Sequence, residues 1–301
     1  TILYSIISFS SMLFALVVSG WILKHISSGT LIRFTLLGAA VFYLMLFWLR
    51  EEAITYVVPL ALFNGFTGGI YWAAFNLNQY IYTSRHRRVK YFGSAIALIN
   101  ALQAIGPLIG GAIITYTGSR VLFDLPIGYS LLFLLVSLIL GFSAFLIGRL
   151  PQHEVIAFEF SHIIFHRRSI AWKYILSTNV VLGLFDVALG TVTGVLIYLL
   201  VKEEVLLGAT QTGAFLLGAL GSMLAIPMLH KNTRYYWIGA LGLSLGIGIF
   251  AVYQNIVGLI AFTIVTAISA PILHTCLATV YFKAMDRVEE NWTEKYYLFI
   301  E

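Results

Sequence analysis

Charged residues are scarce in this sequence. Asp, Glu, Lys and Arg make up 10% of its 301 residues, whereas 60% are hydrophobic. A soluble domain carries roughly 25% charged residues and fewer than half apolar ones. The shortage of charge therefore argues against a soluble globular protein and favours a chain embedded in a membrane.

Cysteine is nearly absent, since Cys276 is the single residue of its type. One thiol can form neither an internal disulfide nor a metal site built from cysteines. We expect Cys276, which lies in an apolar run, to be an inert buried thiol. The motifs HExxH and GxxxxGK[ST] are missing too, which argues against a zinc protease and against ATP-driven transport within this chain. The sequence predicts no cofactor and no metal.

The apolar residues form long runs that fit membrane-spanning helices. A span needs about 20 predominantly apolar residues, and runs such as 131–140 lack the alternation of a β-barrel strand. The sequence predicts an all-α, polytopic membrane protein with about nine spans. They lie at 2–23, 31–49, 54–82, 91–116, 126–148, 174–200, 207–229, 236–253 and 256–282.

The basic residues predict the orientation of these spans. All but three of the 18 Lys and Arg fall in loops on one side, the exceptions being Arg50, Arg120 and Lys202. Short loops rich in Lys and Arg stay in the cytoplasm. The Thr1 end is therefore expected outside and the Glu301 end inside. Basic residues in short clusters between apolar runs do not suggest a nucleic-acid partner, despite the net charge of +5.

The longest polar stretch predicts a division into two bundles. We expect an N-terminal bundle of five helices at 1–148, a cytoplasmic linker at 149–173 and a C-terminal bundle of four helices at 174–301. The chain opens directly in an apolar helix without Met and stops where a new apolar stretch begins. We interpret it as a fragment.

The segment 64–118 contains a glycine-rich helix, a basic loop and a helix with Gly106-Pro107-Leu108-Ile109-Gly110-Gly111. Pro107 permits a helix bend, and glycines four residues apart permit close approach of another helix. The segment resembles the fourth and fifth helices of the major facilitator superfamily. In its exporters the fifth-helix motif runs G-x8-G-x3-GP-x2-GG. Gly93 matches the first glycine, and Leu102 replaces the second.

The resemblance implies that the nine spans correspond to the second to tenth helices of the family. Two other signatures differ. Lys24 occupies the acidic position of the loop motif GxxxDRxGRR, and Asn64 stands where many proton-coupled exporters place an arginine. Trp72, Asn76 and the basic loop that follows resemble uncharacterised bacterial members, which implies a bacterial plasma membrane.

Asp186 is the strongest candidate for a site residue, because every other acidic residue falls in a loop or at a segment end. A carboxylate at mid-membrane costs about 2.5–3.5 kcal/mol on insertion scales, so it usually faces a cavity or a partner. Asn179 lies on the same small, polar helix face. No Lys or Arg is expected at the depth of Asp186, so we expect no salt bridge there. The alternative is a protonated Asp that bonds a neighbouring helix.

Other polar or aromatic residues recur at helical spacing on two further segments. Asn64, Trp72 and Asn76 share one face, and His274 lies on another. The resemblance implies that these helices line the central cavity. The alternative interpretations are a packed aromatic for Trp72 and a hydrogen-bonded core residue for His274.

We therefore expect secondary transport of a small molecule across the lipid bilayer by alternating access, with a proton or ion as the possible coupling partner. The GPxxGG resemblance favours export, of the drug or metabolite efflux type. An uptake symporter is the first alternative. A membrane receptor or an intramembrane enzyme is the alternative of another class.

Overall fold

The computed structural model describes residues 2–84, 86–117, 121–122, 125–147, 170–201 and 204–288, and these are almost entirely helical. The α-helices are α1 (Ile2–Leu23), α2 (Ser28–Leu49), α3 (Val57–Tyr82), α4 (Arg88–Gln103), α5 (Ile105–Thr117), α6 (Ile127–Ile147), α7 (Ile170–Val201), α8 (Glu204–Lys231), α9 (Tyr236–Val252) and α10 (Ile256–Val288). Short 3₁₀ turns lie at Arg50–Ile54 and Thr233–Tyr235, and β1 (Val121–Leu122) pairs with β2 (Leu125–Pro126).

Every predicted span coincides with a helix, so the all-α prediction is confirmed. Within the described residues, seven stretches are long and apolar enough to cross a membrane, with α4 and α5 counted as one. In addition, α9 is apolar but has only 17 residues. The predicted span 91–116 contains two helices. Helix α4 ends at Gln103, α5 begins at Ile105, and Ala104 between them is a turn residue.

Helix packing divides the chain into two compact units. The first contains α1, α2, α3 and α6, and the second contains α4, α5 and α7 to α10. The predicted linker 149–173 falls outside the described residues except for 170–173, which are helical. The bundle boundaries derived from sequence order stay a prediction.

In the first unit, α1 packs closely on α3 because α3 has glycine where the two helices meet. A Cβ at Gly69 would overlap the Met12 carbonyl and lie 2.7 Å from the Ala15 side chain. The Ser11 hydroxyl also donates to the Leu62 carbonyl at 2.7 Å. Small residues and interhelical hydrogen bonds are the usual means of packing helices in a membrane, where the hydrophobic effect does not pull helices together.

Helix α2 packs on both α3 and α6 in the first unit. It begins after Ser27, whose hydroxyl caps the helix by accepting from the Thr30 N–H. The Ser137 hydroxyl of α6 donates to the Ala40 carbonyl at 2.9 Å. The Ser28 hydroxyl donates to Asn78 Oδ1 of α3 at 2.5 Å.

In the second unit, α10 is the central helix, with contacts to α4, α7, α8 and α9. The row Gly239, Gly242 and Gly246 of α9 lies against it. Cys276 is buried in the small apolar core shared by α4, α8 and α10. Because α10 passes through the unit, its side chains meet residues from several other helices.

Candidate functional site

Asp186 of α7 and His274 of α10 face each other within the second unit. His274 Nε2 lies 3.4 Å from Asp186 Oδ1. The His274 side chain is 33% exposed and the Asp186 side chain is 43% exposed, so a ligand can contact both the imidazole and the carboxylate. The sequence selected each residue separately, and the structure brings them together.

The pair lies in the middle of two long helices. Asp186 is more than three turns from either end of α7, and His274 follows Pro271, a proline inside α10. Pro271 cannot donate to the Ala267 carbonyl, which weakens α10 one turn before His274. An imidazole and a carboxylate at this separation can share one proton, and the pair is an ion pair only when the histidine is protonated.

The expectation that no salt bridge is available to Asp186 needs correction, because His274 lies within ion-pairing distance of its carboxylate. That expectation counted only Lys and Arg as cations, whereas histidine also becomes cationic when it gains a proton. The sequence did single out His274 as a candidate site residue on its own helix. What it lacked was the information that α7 and α10 are neighbours.

Asn179 lies on the same face of α7, two turns before Asp186. Its side-chain amide donates to the Ile175 carbonyl of its own helix at 3.0 Å, and the residue is exposed. Seven residues correspond to about 10.5 Å along a helix. Asn179 therefore lies about two helical turns from the pair.

The candidates on α3 belong to the first unit and are held by local contacts. The Asn64 amide donates to the Tyr4 hydroxyl of α1 at 2.9 Å. Trp72 is partly exposed and meets the rings of Tyr71 and Phe75 edge to face, at 5.7 and 5.8 Å between centroids. Asn76, one turn further along, is half-buried. In this structure, Asn64 joins two helices and Trp72 belongs to an aromatic cluster.

The GPxxGG segment begins a new helix at Ile105, directly after the break at Ala104. Pro107 lacks the N–H that would bond the Gln103 carbonyl, which accounts for a break at this point. The Ala104 carbonyl accepts a hydrogen bond from the Thr212 hydroxyl of α8 at 2.7 Å. A side chain from the neighbouring helix thus supports the broken turn.

Close approach of α8 to this segment depends on a glycine of α8. A Cβ at Gly208 would lie 2.5 Å from the Pro107 carbonyl oxygen, whereas a Cβ at Gly106 meets nothing within 4 Å in the described part of the chain. Gly110 and Gly111 are buried in α5. Gly93, at the start of the motif, lies against the Ile226 side chain. The sequence indicated close packing here but did not show that Gly208 supplies it.

Comparison with known families decides the classification. The sequence model of the Major Facilitator Superfamily matches residues 1–289, nearly the whole chain. The chain belongs to the Major Facilitator Superfamily. With its apolar helices, this membership makes it an integral membrane protein.

A curated relative is similar to this superfamily chain over most of the chain's length. It is the uncharacterized protein YqgE of Bacillus subtilis (strain 168), 25% identical over 262 residues. The match covers 85% of this chain and 59% of YqgE. The chain thus spans less than two thirds of this relative.

Arg88 is a residue of this superfamily chain that sequence reasoning placed in a cytoplasmic loop. It lies instead in the first turn of α4, only 3% exposed. Its guanidinium donates to both carboxylate oxygens of Asp286 and to the Phe282 carbonyl, and it lies 5.6 Å from the centre of the Phe282 ring. No sequence signal separated Arg88 from Arg87 beside it, which is exposed.

The observed ends of two helices follow from this contact. Helix α10 continues to Val288, beyond the predicted end at 282, and α4 begins at Arg88 rather than at 91. Among the residues described, no group of three or more His, Cys, Asp or Glu could hold a metal ion. Two contacts between ionisable groups in the described part of the chain are Asp186 with His274, and Arg88 with Asp286.

Proposed function

We propose that the full-length protein moves a small molecule across the membrane by alternating access, and that Asp186 and His274 bind the proton or the cationic group that couples the cycle. The observation that carries this proposal is the 3.4 Å contact between an exposed carboxylate and a partly exposed imidazole in the middle of two long helices. Ionisable residues inside membrane segments most often serve substrate or proton pathways.

The charge of the pair supplies a coupling mechanism. With a neutral imidazole and an ionised carboxylate, the pair carries one negative charge, and one added proton makes it neutral. A cationic group of a substrate that replaces this proton also leaves the site neutral. An uncompensated charge within the membrane is costly, so the protein with an empty, negatively charged site does not change readily between its inward-open and outward-open states. It changes state with either a proton or a cationic substrate bound, and the two are thereby exchanged across the membrane.

Export agrees with this exchange and with the GPxxGG resemblance. A proton that enters from outside displaces a cationic substrate there, and a substrate bound from the cytoplasm displaces the proton inside. Uptake by symport is the alternative direction, in which proton and substrate occupy the protein together and move the same way.

Everted membrane vesicles containing the full-length protein test the proposal. The probe is the cationic dye ethidium, with a neutral dye of similar size as the control, and the vesicle lumen is made acidic. Exchange predicts that ethidium enters the lumen while a pH-sensitive lumenal dye reports proton exit. Both movements should stop when an ionophore removes the gradient.

Two results would overturn the proposal in different ways. Ethidium leaving the lumen together with protons would establish symport and reject export. Transport of the neutral dye alone, at a rate that ignores the gradient, would remove the pair from the coupling mechanism.

A further inference from the structure

The first unit contains an apolar groove of about 610 Å³ between α2 and α3. On α2 its walls come from one face, at positions 41, 44, 45, 48 and 49; the opposite wall comes from positions 59, 60 and 63 of α3 and from Tyr56 in the turn before it. Both sets follow the spacing of a single helix face. The groove therefore runs along the helices.

The dimensions of the groove fit one leaflet of a bilayer. From Val41 to Leu49 the helix rises about 12 Å, and half of a hydrocarbon core is about 15 Å. Leu60 forms a buried part of the wall, whereas Trp48 is 78% exposed at the other end. A groove of this length that opens to the surroundings can accept a single extended hydrocarbon chain.

The chemistry of the groove changes along its length. The end at Val41 and Phe63 is purely apolar, whereas Trp48 and Tyr56 at the other end have an N–H and an O–H on aromatic rings. Such rings favour the boundary between hydrocarbon and headgroups. A ligand that matches this gradient is an amphiphile with a long apolar tail and a polar end.

The turn beyond the polar end has charges of both signs. Arg50, Glu51 and Glu52 are all exposed in the 3₁₀ segment that joins Leu49 to Tyr56, two residues that line the groove. A zwitterionic phospholipid presents a phosphate for the guanidinium and an ammonium for the carboxylates. A purely anionic headgroup would meet the two glutamates unfavourably.

The backbone of Arg50 supplies a further observation. It has a φ of 52°, and it is the one non-glycine residue with positive φ in the described part of the chain. This conformation favours glycine and is strained for other residues. Arg50 thus has a strained backbone conformation at the mouth of the groove, which indicates that its side chain has a functional role there.

We propose that this groove holds one acyl chain of a zwitterionic phospholipid whose headgroup lies at Arg50, Glu51 and Glu52. The site is separate from the Asp186–His274 pair, and it does not depend on the proposed transport function.

Native mass spectrometry of the full chain tests the proposal. The detergent-solubilised protein is offered phosphatidylethanolamine or phosphatidylglycerol of identical acyl chains. We expect the unaltered protein to retain one phosphatidylethanolamine, and phosphatidylglycerol about tenfold more weakly, which corresponds to about 1.4 kcal/mol. Equal retention of the two lipids would overturn the headgroup assignment.

A matched pair of variants tests the groove itself. Met45→Trp fills the groove, and Leu37→Trp places the same ring elsewhere on α2, at a residue that does not line it; both positions are 41% exposed. We expect Met45→Trp to lower phosphatidylethanolamine retention about tenfold and Leu37→Trp to leave it unchanged. Thermal unfolding of both variants checks that they fold.

The headgroup contacts have their own variants. Arg50→Gly keeps the backbone conformation and removes the cation, so retention should fall, while Arg50→Lys should keep most of it. Equal retention by the unaltered protein and Met45→Trp would overturn the acyl-chain site. So would a dimer that becomes a monomer in Met45→Trp, because a second copy of the chain would then occupy the groove.

Discussion

Arg88 Nη1 lies 2.5 Å from Asp286 Oδ2, and this contact ties the first turn of α4 to the last two turns of α10. The arginine is almost fully buried, so its charge is compensated by the Asp286 carboxylate and the Phe282 carbonyl rather than by water. Loss of one partner removes this buried ion pair and leaves the other charge without its compensation.

We predict that Arg88→Ala lowers the free energy of unfolding by about 3–5 kcal/mol, the usual cost of breaking a buried pair. Asp286→Ala should cost a similar amount. The double variant Arg88→Met/Asp286→Leu should be less destabilised than either, because both charges of the pair are replaced by apolar side chains. Unfolding in mixed detergent micelles measures these differences.

Arg87→Ala is the matched control for this prediction, since Arg87 is the exposed neighbour of Arg88. It should change stability by less than about 0.5 kcal/mol. Equal effects of the two alanine variants would show that the buried pair contributes nothing particular to stability.

Asp186→Asn and His274→Gln should each reduce gradient-driven transport at least tenfold, an effect of about 1.4 kcal/mol or more. Each replacement keeps a hydrogen-bonding group but cannot ionise. On the proposal that the two residues act as one proton-binding unit, the double variant should be no worse than either single variant. Rates measured against pH should vary in the unaltered protein and stay flat in Asp186→Asn.

Asn179→Ala is the control for the pair, because that amide bonds its own helix. It should retain the transport rate within about twofold, or roughly 0.4 kcal/mol. If Asp186→Asn kept both the rate and its pH dependence, Asp186 would have a structural role only.

Gly208→Ala should destabilise the packing of α8 on α5 by about 1–3 kcal/mol, the usual cost of overpacking. The added Cβ would lie 2.5 Å from the Pro107 carbonyl oxygen, and a backbone atom cannot move aside cheaply. Thermal unfolding of the purified protein measures the loss.

Gly213→Ala on the same helix provides the comparison, since a Cβ there meets nothing within 4 Å of the described residues. Alanine is the better helix former by about 0.8–1 kcal/mol in soluble hosts, so this variant should be neutral or more stable. Equal destabilisation by both variants would mean that the contact at Pro107 is not the cause.

The orientation predicted from the basic loops can be tested by cysteine labelling in intact cells. Cys276 is 1% exposed and should react little. A cysteine at Glu52 should react with an impermeant reagent, whereas one at Ser84 should be protected; both positions are exposed in the structure. The reverse pattern would invert the topology.

Sequence periodicity predicted the helices well because each depends on one continuous apolar run. Contacts between helices were harder to predict from the sequence. His274 and Asp186 are 88 positions apart, and only the packing of α7 on α10 makes them partners. Likewise, nothing in the run around Gly208 distinguishes it from Gly213, although only Gly208 meets the Pro107 backbone.

Helix ends were less predictable where charged residues were buried. The predicted end of α10 at 282 followed the change from apolar to polar residues. The helix continues because Asp286 has a buried cation to bond, which depends on a residue almost 200 positions earlier. Local composition does not contain that information.

The shortness of α9 has a consequence for the surrounding lipid. Its 17 residues span about 26 Å, against about 30 Å for a typical hydrocarbon core. Tyr236 and Trp237 at one end and Tyr253 just beyond the other are exposed aromatic residues that favour the two interfaces. Local thinning of the bilayer is one way to accommodate a mismatch of this size, at a cost of a fraction of a kcal/mol per ångström. A membrane of shorter acyl chains reduces that deformation, which makes membrane thickness a variable to which this side of the protein responds.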